Sequence, residues 1–162
     1  MRLLDTIEKK SNKKSLFKKG NKYLKNGNFD KALKCYDEII ELDPLSADAW
    51  YNKGLVFFKT KKYAESIELF DRSLNLDTEN IKVLNSKGLA LGSIYRYEES
   101  YACFDKALKL DPNNAEIWVS KGLVLGKNNR SSEAIKHFDK ALKLDPDFEP
   151  AQKAKILSLT KF

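Results

Sequence analysis

The sequence predicts an all-α fold, a stack of antiparallel helix pairs, and three observations predict it. Glycines recur at Gly20, Gly54, Gly88 and Gly122, 34 residues apart each time. A fixed period of that length is the signature of a stacked-repeat architecture. Aromatic residues keep step with them at Tyr36, Phe70, Phe104 and Phe138. The third observation is local: the apolar residues of DAWYNKGLVFFK (48–59) cover an arc of about 160° on a helical wheel, where a surface helix facing one core needs only about 100°. A helix that is apolar on so many sides must be covered by more than one neighbour.

Composition agrees. The chain has 162 residues, 42% apolar and 33% charged, with four prolines and seven glycines. That is a folded, helix-leaning composition with enough chain to bury a core. No apolar run reaches the roughly 18 residues of a membrane span, and Leu3-Leu4 is too short for a signal-peptide core. Cys35 and Cys103 suggest no disulfide framework, so the expected setting is reduced, soluble and cytoplasmic.

Taken in order, residues 1–12 read as an N-terminal arm or a short helix, ordered in part, with Leu3 and Ile7 able to share one face. Four repeats follow, over 13–46, 47–80, 81–114 and 115–148. Each opens after a good N-cap residue (Asn12, Ser46, Asn80, Asn114) able to satisfy free N–H groups of a first turn. A first helix of about 14 residues then carries Leu16, Trp50, Leu84 or Trp118 four positions before the glycine. It ends at turn-like segments such as NGN (26–28) or NNR (128–130). The second helix begins with a small residue at Ala32, Ser66, Ser100 or Ala134, carries the aromatic, and ends at LDP, where proline disfavours a helical aspartate. Thr78 replaces that proline in the second repeat. Mid-helix glycines cost about 1 kcal/mol each against alanine; with the small residues, they are expected to let two backbones approach closely. Residues 149–162 begin another first helix with Ile156 where glycine belongs, and are expected to cap the last apolar face.

Across residues 13–148 this pattern resembles the tetratricopeptide repeat family, because the glycine, small and aromatic positions recur together four times. The resemblance implies a right-handed superhelical solenoid whose first helices line a concave groove for peptides. One departure is systematic: Lys19, Lys53, Lys87 and Lys121 stand before the glycine, where the family usually has leucine. Asp37, Asp71, Asp105 and Asp139 recur as regularly on the second helices. Each Asp is expected to meet the Lys of the following repeat in a surface ladder worth about 0–1 kcal/mol per pair.

Catalysis has little to work with. There is one histidine, His137, and no phosphate loop, nucleophile elbow or spaced metal motif. Cys35, Cys103 and His137 share a repeat column, but equivalent positions in successive repeats lie about 10 Å apart, too far to share a compact metal shell. Glu98 and Glu99 read as a solvated surface. The expectation is a non-enzymatic protein with no metal and no cofactor.

By register, the groove should present Lys14, Phe17, Lys18, Asn21 and Lys25 from the first repeat, and Asp48, Tyr51, Asn52, Leu55, Phe58 and Lys59 from the second. Lys82, Asn85, Ser86 and Leu89 follow from the third; Glu116, Val119, Ser120, Leu123 and Lys127 come from the fourth. Some members of the family carry a five-residue carboxylate clamp. Asn21, Asn52 and Lys82 match its positions, but Phe17 and Ser86 replace a lysine and the arginine, which removes bidentate carboxylate binding.

Charge supplies the remaining clue. Residues 1–34 carry a net +8 and residues 35–162 a net −1. Lys14, Lys18, Lys22 and Lys25 share one helical face, where like charges repel mildly. The expected partner is therefore a protein or peptide segment, acidic or with an acidic end. Two alternatives stand beside it. One is nucleic-acid or ribosome binding through the basic first repeat, disfavoured because arginine is absent there apart from Arg2. The other is self-association of the basic end with the last repeat or cap of another copy.

Overall fold

The computed structural model describes residues 3–159, with side chains from residue 11 onward. The described residues form nine helices and no strand: α1 (Leu3–Lys25), α2 (Phe29–Leu42), α3 (Ala47–Lys59), α4 (Tyr63–Leu76), α5 (Ile81–Ser93), α6 (Tyr97–Leu110), α7 (Ala115–Lys127), α8 (Ser131–Leu144) and α9 (Glu149–Leu159). Two compact units divide at Thr78 and Glu79. In the first, α1 pairs with α2 and α3 with α4, while α3 also packs on α2 and α1. In the second, α5 pairs with α6 and α7 with α8; α7 packs on α5 and α6, and α9 on α7 and α8. The fold class is all-α, built from helical repeats.

Helix boundaries follow the repeat, with one exception. All four second helices stop at the leucine before the aspartate, at Leu42, Leu76, Leu110 and Leu144. The second repeat stops there without its proline, so the neighbouring turn suffices. Asn80 and Asn114 act as caps, accepting from the Val83 and Ile117 N–H groups at 3.3 Å, whereas Ser46 holds the cap position without a side-chain bond. Asn12 is no cap at all. Helix α1 runs through it from Leu3, because no proline or glycine interrupts the chain before Gly20 and the intervening lysines are good helix formers. The expectation that Leu3 and Ile7 share a packing face lies outside the described side chains.

First helices end in a common way. Gly27, Lys61, Tyr95 and Asn129 all have φ between 58° and 74°. The following N–H reaches back to close the helix, as in Lys62 N to Phe57 O at 2.9 Å and Arg96 N to Leu91 O at 3.0 Å. This is the Schellman arrangement, in which a left-handed residue ends the helix. Glycine fits without penalty; lysine and tyrosine are held there against their preference.

The mid-helix glycines serve a purpose other than backbone contact. A Cβ at Gly54 would lie 2.6 Å from Phe70 Cε1, and one at Gly88 or Gly122 would stand 2.7 or 2.5 Å from the same atom of Phe104 or Phe138. Each glycine leaves room for the aromatic ring of its own repeat, and those rings are fully buried. The small residues Ala32, Ser66, Ser100 and Ala134 are also fully buried, and Ser100 Oγ donates to the Gly88 carbonyl at 2.6 Å.

The aspartate–lysine ladder forms within each unit. Lys53 meets Asp37 at 2.6 Å and Lys121 meets Asp105 at 2.5 Å. The same column continues into α9, where Lys155 meets Asp139 at 2.7 Å. A second column ties the inter-repeat turns: Trp50 and Trp118 Nε1 donate to the Pro44 and Pro112 carbonyls at 2.9 Å. Gln152 takes that role in α9, donating to the Pro146 carbonyl at 2.8 Å. Where Thr78 replaces proline, Leu84 replaces the donor.

Candidate functional site

In the first unit, α1 presents a polar face and α3 an aromatic one beside it. Lys14, Lys18, Lys22 and Lys25 are exposed, and at 1.5 Å per residue they extend over about 16 Å of helix. Among the described residues none of these four has an anionic partner. Lys13, on another side of the helix, does: it holds Asp43 at 2.5 Å and keeps that carboxyl below the usual carboxylate range. Asn21 lies at the edge of the lysine strip, and its Oδ1 accepts from the buried Tyr36 hydroxyl at 2.8 Å. Burial pushes the Tyr36 phenol up to about 12, so it remains a donor to Asn21 at neutral pH.

Phe17 is half-buried, packed against the cluster of Leu16, Ala32, Tyr36, Ile39, Ala49 and Val56. Part of this side chain therefore belongs to the core. On α3, Tyr51, Asn52, Leu55 and Phe58 are all half-buried. Tyr51 leans on Phe70 with ring centroids 5.8 Å apart, and Phe58 meets Tyr63 edge-on at 5.5 Å. These contacts fix both rings while leaving part of each at the surface. Since α1 touches α3, the register places the lysine strip and these aromatics on adjoining helices of one unit.

The second unit treats its counterparts differently. Lys82 is exposed and Ser86 and Leu89 are half-buried, but Asn85 is only 7% exposed. Its amide donates to Glu116 Oε1 at 3.3 Å, and its Oδ1 has no partner among the described residues. Val119 and Ser120, expected at the groove, are buried. Asn85 is closed off where α5 and α7 pack together, and Val119 joins the core cluster with Ala134, Phe138, Ala151 and Ala154; helical register gives direction without saying how closely the next helix approaches. Leu123 and Lys127 stay exposed.

One cluster escaped the sequence reading. Tyr95, Tyr97 and Tyr101 form a ladder at the turn between α5 and α6, with centroids 6.1 and 6.5 Å apart. Lys127 Nζ lies 4.8 Å over Tyr95 and the Arg130 guanidinium 5.4 Å over Tyr101. The available signal was a departure from the repeat, since the other three repeats do not hold three tyrosines in these columns. His137, the sole histidine, packs on Trp118 at 5.4 Å, and burial lowers its pKa.

Helix pairs repeated every 34 residues, with a constant interior and varying exposed side chains, define a helical-repeat protein, a class that stacks repeats to build extended binding surfaces. Tetratricopeptide-repeat family models match residues 17–80, 96–129 and 115–148. The chain belongs to the tetratricopeptide repeat family, whose members generally act as protein–protein interaction scaffolds. Solved structures agree on the fold. Pseudomonas aeruginosa pilF is 27% identical, with a TM-score of 0.83 over 95% of this chain and 70% of that one. A MamA protein is 21% identical, with a TM-score of 0.75 over 91% and 80%. MamA from Desulfovibrio magneticus RS-1 is 22% identical, at 0.75 over 85% and 77%. No curated protein matches the sequence. No helix among the described residues is long and apolar enough to cross a membrane.

Proposed function

We propose that this protein is a non-enzymatic scaffold that binds an acidic segment of a partner protein against α1 and α3. The observation that carries the reading is the lysine strip of Lys14, Lys18, Lys22 and Lys25, unpaired among the described residues, on a helix that packs against α3 with its half-buried aromatics. Lining up four cations on one helix face is mildly unfavourable, which an acidic ligand would reverse. The lysines would steer encounter and select charge. Further burial of Tyr51 and Phe58 would supply much of the affinity, up to about 1.5–3 kcal/mol for a side chain taken fully from water. Asn52 and the free amide hydrogens of Asn21 would bond the partner backbone, and Leu55 would pack beside them. Lys82, Ser86 and Leu89 offer a smaller contact surface on α5. Asn85 would contribute only if a ligand displaced Glu116.

A random peptide library selected on the protein tests this. The expected result is enrichment of acidic sequences containing an apolar residue, lost on Lys14→Glu/Lys18→Glu/Lys25→Glu. Tyr51→Ala/Phe58→Ala should lower affinity for every enriched peptide while helical content stays. Selection without acidic bias, or bias that survives charge reversal, would refute the reading.

A further inference from the structure

We infer that the second unit holds a site for an arginine side chain of a partner peptide, built from Asn85 on α5 and Glu116 on α7. The first sign is an unmet acceptor. Asn85 is buried, and its Oδ1 has no hydrogen-bond partner among the described residues. A buried carbonyl oxygen without a donor costs free energy. Glu116 keeps it in that state: a carboxylate only accepts, so it engages the NH2 end of the amide and leaves the oxygen end without a donor. Packing does not ask for an amide at this position, since the same column holds Phe17, Tyr51 and Val119 in the other repeats.

The second sign is an unmet charge. Glu116 is exposed and forms no ion pair among the described residues. Lys82, one turn before Asn85 on α5, is also exposed and does not pair with it. The one bond Glu116 makes, at 3.3 Å, is longer than the usual range of about 2.7–3.2 Å. Little holds the carboxylate where it is.

Two acceptors, one of them charged, suit a cation that carries several donors. A metal ion fits poorly: calcium takes about six to eight oxygen ligands, and the described residues hold no group of three His, Cys, Asp or Glu side chains able to share one. A guanidinium fits. Its planar fork gives a carboxylate two parallel N–H bonds and keeps further N–H groups at its other edge. Once Glu116 swings onto the fork, the Asn85 amide is released and its oxygen can accept from a remaining N–H. An ammonium has no such fork. Leu89, one turn beyond Asn85 on the same face, is half-buried and gives the arginine methylenes an apolar surface. The site lies in a different unit from the lysine strip and takes the opposite charge, so it does not rest on the acidic-segment reading.

NMR titration of the full chain with a capped Ala-Leu-Arg-Leu-Ala peptide tests the proposal, followed at the Asn85 side-chain NH2 and the backbone amides of the first turn of α7. The expected result is a saturable shift. A citrulline peptide, which keeps the shape without the charge, should bind at least about tenfold more weakly, and a lysine peptide about fivefold. Glu116→Gln should cost about tenfold. Asn85→Val, which copies Val119, should cost about fivefold yet melt no lower than the wild type, because it removes a buried acceptor that lacks a donor. If Asn85→Val does not fold, Asn85→Ala gives the same binding readout. Lys14→Glu/Lys18→Glu/Lys25→Glu should leave the response unchanged. Free L-arginine should bind more weakly than the peptide; tighter binding would make this a small-molecule site and overturn the assignment to a partner. No saturable shift, equal binding of the citrulline or lysine peptide, undiminished binding by the Glu116 or Asn85 variants, or loss on reversal of the α1 lysines would overturn it as well.

Discussion

Adding one methyl group at Gly54 and at Gly126 should move stability in opposite directions. Both glycines lie inside helices, so alanine gains helix propensity at each, about 0.5–1 kcal/mol. At Gly54 the new Cβ would sit 2.6 Å from Cε1 and 2.8 Å from Cδ1 of Phe70, where carbon atoms prefer about 3.5–4.0 Å. The ring must retreat by about 1 Å, but Phe70 is completely buried and Tyr51 leans on it. Overpacking of this kind costs about 1–3 kcal/mol. With the propensity gain deducted, Gly54→Ala should lose up to about 2.5 kcal/mol, or up to roughly 10 °C in melting temperature for a chain of this size. At Gly126 the nearest atom to a new Cβ is Ala134 Cβ at 3.9 Å, an ordinary contact. Gly126→Ala should therefore stabilise by about 0.5 kcal/mol, reduced from the full propensity value because it lies in the last turn. Urea titration followed by circular dichroism measures both. A double variant with Phe70→Leu should recover part of the Gly54→Ala loss, a coupling expected of residues in contact. If the two single variants shift in the same direction, the assignment of these glycines to ring accommodation is wrong.

Two further outcomes follow from the described contacts. Lys61→Gly should stabilise by about 0.5–1 kcal/mol, since it relieves a left-handed lysine; Tyr95→Gly, at the same repeat position, should gain less or lose, because it also removes the Lys127 and Tyr97 contacts. Paired thermal melts would show the difference, and equal gains would deny the tyrosine cluster any stabilising role. The second concerns pH. Tyr36 is raised to about 12 by burial, so its contribution is complete below the unfolded value near 10 and is lost as pH climbs through the folded one. Tyr36→Phe, which copies the other three repeats, should melt near the wild type at pH 7 and exceed it at about pH 11. A parallel decline of both proteins across that range would rule out Tyr36 as the cause.

Much of the fold was legible because repetition reveals it. The 34-residue period located the helix pairs, the LDP ends, the buried aromatics and small residues, and the column where aspartate meets lysine one repeat later. Each of these depends on local register, which the chain carries in its own spacing. The candidate site was legible in part. Lys14, Lys18 and Lys25 are exposed as register predicts, whereas Phe17 is half in the core and Asn85, Val119 and Ser120 are closed off. Asn12 has the side chain of a cap but lies inside α1, because capping requires a break that its neighbours do not make.

By itself, then, the sequence determined the repeat, the helix pairs within it and the one-ended distribution of charge, since covalent order fixes spacing and composition. Tertiary structure alone decided how closely neighbouring helices approach. That distance turns Asn85 inward and gives the glycines to the rings of Tyr36, Phe70, Phe104 and Phe138. Helical register sets the direction in which a side chain points; only packing sets what it meets.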